Sequence, residues 1–337
     1  MTNLMRASYE WATRPPEQRF DSVESLGQSV ALRRTRSYES TRTLGSLDVV
    51  AHDEQLFLNG HNGRQAKFTN WSFGQYARLM KSPANFLREL PAKMVADIFA
   101  QRKISYGSTP QKLLYSAPLD GTAYGTAQGL TGPKYGRIWD EELVQAVQYI
   151  NQDGRWTIPL KAYDGVYSAQ ASTIYGSEKD VFIFLVDEER AIEVDGQTFF
   201  RGFYAWNSEV GSATLGLCTF LFSYVCQNRI IWGATKVEQR RIRHTAGAPM
   251  RFAHETRPAL AAIANASDQP VIASIRKAKS VRVGTTTKGV EQWLRERGFS
   301  KSDAQAGMKA AEQGGSTGSS GDPTNVFDLV QGGTYVA

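Results

Sequence analysis

Few groups in this 337-residue chain could do active-site chemistry: four histidines, two cysteines and some adjacent carboxylates. Cys218, Cys226, His244 and His254 could in principle supply four zinc ligands. Their spacing matches no familiar zinc knuckle, and both cysteines sit in an apolar run where a free thiol packs as a small hydrophobe. Asp187, Glu188 and Glu189 could hold a divalent cation in a nuclease, with Glu141, Glu142 or Glu209 as further acids. Three consecutive carboxylates beside a turn are more simply a solvated turn. A GxxxxGK(S/T) phosphate loop, an HExxH helix and a GxSxG nucleophile elbow are all missing. The expectation is no catalytic residue, no metal and no cofactor.

Binding is the better-signalled chemistry. The 39 Lys and Arg against 33 Asp and Glu leave a formal charge of +6, which means little until it is located. Residues 229–301 hold fifteen of the basic residues and only five acids. Segregation of this kind marks a surface for a polyanion. Within it, Arg229, Lys236, Arg240, Arg241, Arg243 and His244 form one candidate nucleic-acid patch, and Arg276, Lys277 and Lys279 a second. Tyr224 and Trp232 lie near the first in sequence, so cations for phosphates and rings for base stacking occur together. Single-stranded nucleic acid is the expected partner, with self-association as a further expectation. An interaction protein that modulates a host factor is the other non-catalytic alternative.

These groups need elements to position them. From Thr69 the apolar period turns helical, with Phe73, Tyr76, Ala77 and Met80 on one face, and Pro83 and Pro91 open two more helices. Asp140 is placed to cap a helix lined by Leu143, Val147 and Ile150. Val181–Val186 is a continuous apolar run, as in a central strand buried on both faces. A turn at Asp187–Arg190 then leads to Ile192–Val194, and Asp195-Gly196 is a hairpin signal before a third strand, Thr198–Trp206. Val210–Cys226 carries no charge over 17 residues, is short for a membrane span, and is read as a buried helix. Arg229–Trp232 is a candidate extra strand.

The expected fold is therefore α+β: a small antiparallel sheet, a three-strand meander, followed by a helix, with helical N-terminal and C-terminal segments. One domain would span residues 1–312. Within it, 1–105 would be irregular and helical, 106–244 the core, and 245–312 basic and helical. A Gly/Ser-rich linker at 313–324 and a docking segment at 325–337 would follow. The aromatic content excludes general disorder, and two cysteines cannot build a disulfide framework. With no leader-like start, a reducing cytoplasm without membrane attachment is expected.

Several blocks also carry a resemblance. FTNWSFGQYARLMKSPANFLRELP, KYGRIWDEEL, YGSEKDVFIFLVD, FFRGFYAWNSEVG, FLFSYVCQNRIIWG and RIRHT, in that order, resemble the phage/plasmid-like family known as domain of unknown function 932. The resemblance covers about Trp11 to His244 and extends weakly to NVFDLVQGG. It implies a mobile-element protein in a bacterial cytoplasm and brings no catalytic motif. Its blocks single out Tyr135, Arg137, Trp206, Asn207, Glu209 and Asn228 as a family-motif site. A sheet followed by a helix is also similar to single-strand annealing proteins of the RecT, Erf and Red-beta kind, which hold one DNA strand by its phosphates in rings or filaments.

Overall fold

A computed structural model describes residues 13–59, 65–118, 123–159, 172–223, 231–232, 239–313 and 321–336. The fold is mixed α/β and is built on two sheets. Short β1 (Arg19–Phe20) leads into helix α1 (Val23–Arg36). The first sheet takes β2 (Ser37–Thr43), β3 (Asp48–His52), β4 (Gln55–Asn59), β5 (Gln65–Phe68), β6 (Pro110–Ser116) and β7 (Gly125–Thr131). Its order is β2-β6-β7-β5-β4-β3, antiparallel except where β5 runs parallel to β7. Between β5 and β6 the chain forms α2 (Asn70–Leu79), α3 (Ala84–Leu87) and α4 (Ala92–Tyr106). These bury Phe73, Tyr76, Val95 and Phe99 against one face of that sheet.

Helix α5 (Asp140–Ile150) begins the second half. The second sheet contains β8 (Trp156–Thr157), β9 (Ile174–Gly176), β10 (Val181–Val194), β11 (Gln197–Asn207), β12 (Leu215–Ser223), β13 (Ile231–Trp232) and β14 (Gln239–Ile242). The path runs β1-β9-β10-β11-β12-β13, with β8 on β10 and β14 on β12, all antiparallel. Side chains alternate across a strand. Ile183, Leu185, Phe203, Ala205, Leu215 and Leu217 therefore face α1 and α5, meeting Leu26, Val30, Leu143 and Val147. Phe182, Phe184, Tyr204, Trp206 and Phe220 form an aromatic layer on the reverse face, with Phe184 and Phe220 stacked at 4.4 Å. Both parities of Val181–Val186 are buried, which is why that stretch has no polar residue.

After a short helix, α6 (Ala248–Arg251), and a π-helical turn come α7 (Arg257–Ala264), α8 (Gln269–Ser280), α9 (Thr287–Arg295), α10 (Lys301–Glu312) and α11 (Val326–Val336). Phe327 of α11 packs with Ile192, Val194, Phe199, Leu221 and Ile275, sealing the far end of the β10–β11 hairpin. Leu329 packs among Val290, Leu294, Ala304 and Met308. Residues 314–320 of the expected linker lie outside the described residues, whereas Asp322 is paired to Arg282. Among the described residues no helix is long and apolar enough to cross a membrane.

Three expectations are corrected. Within residues 1–105, expected to be irregular and helical, the part before residue 60 contains α1 and three strands of the first sheet. Ser22 caps α1, with Ser25 completing the reciprocal box, while β2 reads SYESTRT, too polar to announce a strand. Next, the turn expected at Asp187–Arg190 is a bulge inside β10, whose pairing with β11 shifts between Asp187 and Ile192. The first two expected strands are thus one 14-residue strand. Asp187 and Glu188 are buried there and are not a solvated tip. The hairpin itself is at Asp195-Gly196, with φ of 50° and 79°.

The third correction is the largest. The apolar run after residue 210 is not a helix: β12 occupies Leu215–Ser223 and pairs with β11 and β14. Apolar residues at every parity suit a buried helix and a two-sided strand equally well, so periodicity cannot separate them. Gly216 provides a test of sign. In a helix, Gly216→Ala would stabilise by up to about 1 kcal/mol. In β12 an added Cβ would overlap the Trp206 ring. Urea unfolding of Gly216→Ala should therefore show a destabilisation of about 1–3 kcal/mol.

Candidate functional site

Three segments meet where the two sheets join: residues 132–139 before α5, 207–214 between β11 and β12, and 243–245 after β14. Polar side chains hold the seam. The Tyr135 hydroxyl donates to Ser208 O at 2.8 Å, and Asn207 Nδ2 donates to Ile138 O at 2.8 Å and to Asp140 Oδ1 at 2.7 Å. Gly136 N donates to His244 O at 3.2 Å, while His244 Nδ1 lies 3.1 Å from Gly136 O. The His244 ring stacks on Tyr135 at 4.8 Å between centroids. From the first sheet's side, Trp71 Nε1 and Gln75 Nε2 both donate to Val210 O, at 3.0 and 2.7 Å.

Charges are concentrated inside this seam. Arg33 of α1 donates to Asp140 Oδ2 at 2.5 Å and sits 3.6 Å from Glu209 Oε2. Asp140 N donates to Glu209 Oε1 at 2.8 Å. Arg137 donates to Glu209 O and pairs with Glu39 at 2.8 Å, and Glu39 also takes Lys112 at 3.0 Å. Asp140 is 1% exposed and Glu209 4%, so neither carboxylate can meet a substrate. Burial and the neighbouring Glu209 push the Asp140 carboxyl well above its usual range, against Arg33 and Asn207. Burial opposes the charge on Arg33, yet Glu209 and Asp140 outweigh it and raise its pKa. Burial opposes the charge on Glu39 as well, and Lys112 and Arg137 overcome it to lower that pKa.

Outside the seam lies an open cleft of about 350 Å³, lined by Tyr135, Gly211–Thr214 and Arg243–Thr245. Arg243 is exposed at its rim, and Lys134 is exposed beside Tyr135. Neither makes an ion pair among the described residues. Lys179 is exposed above the cleft: its carbonyl takes the Ser212 and Ser208 hydroxyls, and its ammonium lies 5.9 Å from the Trp71 ring. The seam acids are already paired to seam cations, so the rim keeps an uncompensated positive charge.

The expected site residues divide five ways. Tyr135, Arg137, Asn207, Glu209 and His244 are brought together at the seam. Trp206 points to the opposite face of β11, with the Arg241 guanidinium 5.8 Å from its ring. Arg240, Arg241 and Arg243 follow one another along β14 and its exit. Arg276, Lys277 and Lys279 lie on α8, where Arg276 and Lys279 approach Asp195 at 3.6 and 3.7 Å. They are separated from Arg241 by about 15 Å or more of β12, at about 3.4 Å per residue. Arg229, Lys236 and Asn228, like Tyr224 and Cys226, lie outside the described residues. Asp140, expected as the cap of α5, is instead its first residue after Trp139, with its carboxylate turned inward. Arg33, Lys134 and Lys179 are the site residues that sequence reasoning misses. Arg33 belongs to the small basic cluster Arg33-Arg34-Thr35-Arg36, but an isolated Lys carries no local signal.

Compared with known proteins, the chain matches no family model, no curated protein and no solved structure.

The seam has a pH signature. Burial, with Arg137 adding to it, drives the His244 pKa down to about 4, so the ring is neutral at pH 7. The unfolded chain takes up this proton near pH 6.5 and the folded chain only near 4, so stability falls as pH drops through that window. Asp140, whose carboxyl is raised, contributes with the opposite sign. Replacing His244 with Gln leaves that contribution in place. Denaturant melts between about pH 7 and pH 4 should therefore show wild type losing more stability on acidification than His244→Gln.

Proposed function

We propose that this chain is a non-catalytic nucleic-acid-binding protein of a phage or plasmid, acting in a bacterial cytoplasm. It holds single-stranded DNA for annealing or recombination, and a ring or filament of copies would extend the bound strand. One observation carries the reading: Arg243 at the rim of an open cleft, Lys134 beside the lining residue Tyr135, and Lys179, whose carbonyl holds the lining Ser212, form no ion pair among the described residues, while Asp140 and Glu209 are buried and paired. Cations left in that state attract phosphates and release counterions when they bind them. The cleft wall supplies the Thr214 and Thr245 hydroxyls, a residue type that supplements Arg and Lys in phosphate contacts. The other expected cations lie apart from this cleft: Arg241 is on the Trp206 face of the sheet, and α8 offers Lys277 as a second binding area. The family resemblance supports a mobile-element setting, and its motif residue Tyr135 lines this cleft.

A metal-dependent nuclease fits less well. Its candidate acids Asp187 and Glu209 are 2% and 4% exposed. Asp187 accepts from Arg190 N at 3.2 Å and lies 3.8 Å from Arg155, and Glu209 is held by Asp140 N and Arg33. Glu142 accepts from Trp139 N at 3.0 Å. Among the described residues no three His, Cys, Asp or Glu side chains are grouped to hold an ion.

The test is binding to labelled single-stranded DNA across a salt series. If about five phosphates are held, log affinity should fall against log salt with a slope near about −3.5. Arg243→Glu combined with Lys134→Glu should weaken every sequence about equally and make the slope shallower by about 0.7 for each phosphate no longer held. Salt-independent binding would overturn the proposal. Labelled DNA cut in the presence of magnesium or manganese would favour the nuclease.

A further inference from the structure

A second cleft lies on the first sheet's side of the seam, close to the one described above. It encloses about 400 Å³ among Lys67, Asn70, Phe73, Leu87 and Arg88. Arg88 is unusual in how it is held. Its Nε donates to Asn70 Oδ1 at 2.9 Å, Nη2 to Asn70 O at 3.0 Å and Nη1 to Asn85 Oδ1 at 3.1 Å. The guanidinium also lies 5.1 Å from the Phe73 ring centre. All three acceptors are neutral oxygens, so the fork is fixed in direction while its charge is not cancelled. A planar cation prepared in this way suits a phosphate. Lys67, on β5, has its ammonium 5.7 and 5.8 Å from the Phe57 and Tyr124 rings and is likewise exposed.

Trp71 joins the two clefts. Asn70, its neighbour in the chain, lines the Arg88 groove, and the Trp71 indole is tied at 3.0 Å to Val210 O, the residue before Gly211 of the other cleft. The ring is half-buried and therefore pinned, and Lys179 is the cation nearest its face. Arg88 and Lys67 line one cleft and Arg243 the other, with Trp71 and the nearby Lys179 linking them through Asn70 and Val210. Two carboxylates oppose this path: Glu54 lines the Arg88 groove, and Glu178 Oε1 lies 3.4 Å from Trp71 N.

We propose that a single strand bound at the seam cleft continues over Trp71, which stacks one base, and into the Arg88 groove, which takes a phosphate further along. This rests on the nucleic-acid reading above and makes it specific. The ligand must be single-stranded where it crosses the seam, because a paired and stacked base cannot lie on Trp71. The strand must be long enough to reach both clefts.

The full chain should be titrated with thymidine oligonucleotides of increasing length and with a duplex, following fluorescence anisotropy of an end label. Trp71→Ala should weaken binding to long single strands about tenfold, the scale of one base stack. Trp71→Phe keeps a ring but lacks the indole N–H, and should stay within about threefold of wild type; duplex affinity should not change in either variant. Arg88→Glu with Lys67→Glu should weaken long oligonucleotides and spare those too short to leave the seam cleft. Glu178→Gln should tighten binding. If Trp71→Phe is as damaging as Trp71→Ala, the ring serves only to hold Val210 and the stacking claim falls. If Arg88→Glu with Lys67→Glu has no effect while Arg243→Glu still weakens binding, the path is wrong and the seam cleft stands. If Arg243→Glu has no effect either, both proposals fall.

Discussion

The structure depends on one buried set of polar and charged groups, Arg33, Asp140, Asn207 and Glu209, in which α1, α5 and the end of β11 are tied together. Removing ions from water costs several kcal/mol each, and the attraction between them recovers this only if the remaining polar atoms are also bonded. Here the backbone N–H of Asp140 and the amide nitrogen of Asn207 serve the carboxylates, while Asn207 Oδ1 and Arg33 Nε have no hydrogen-bond partner among the described residues. Such a cluster adds little net stability over apolar packing of the same shape. What it imposes is register: α1, which runs from the second sheet into β2 of the first, can seat Arg33 correctly in one position only.

That constraint determines the electrostatics outside. Asp140 and Glu209 face inward while Glu39 lies at the surface, and the three are matched by Arg33, Arg137 and Lys112. Asp180 is held by Arg14 at 2.8 Å. The surface over the seam is therefore poor in available carboxylates, and its lysines and arginines keep their charge. Further away the balance differs. On α8 and beyond, Arg276 and Lys279 share Asp195, Arg201 pairs with Asp268, and Arg251 pairs with Glu255. Asp195 and, through Arg282, Asp322 thus offset part of the basic excess counted along residues 229–301, whereas Arg251–Glu255 lies within that count. The cations best placed to meet a polyanion are partly those of other segments.

How much is legible in the sequence follows from the range of each interaction. The α2 face of Phe73, Tyr76 and Ala77, the two-sided strand Val181–Val186 and the Asp195-Gly196 turn all follow from neighbouring residues and appear where expected. The polar strand β2 and the bulge in β10 do not, because edge position and register are set by partners far along the chain. Val210–Cys226 shows the limit most clearly: its apolarity announces burial on all sides but cannot distinguish a helix from a strand. The motif blocks are visible as separate stretches. That Tyr135, Asn207, Glu209 and His244 gather at one seam requires the two sheets to be docked.

The +6 charge, the scarcity of nucleophiles and metal-ligand spacings, the amphipathic helices and the tight hairpin were determined by the sequence alone, since each depends on composition or on residues a few positions apart. Which charges remain available was decided only by tertiary structure. Arg137 and Arg243 are the same residue type, and each lies within two positions of one of the stacked rings Tyr135 and His244. Yet Arg137 is enclosed with Glu39 and the Glu209 carbonyl, while Arg243 stands at a cleft rim. A charge can be counted in one dimension, but its pairing and desolvation depend on what folding places within a few ångströms of it.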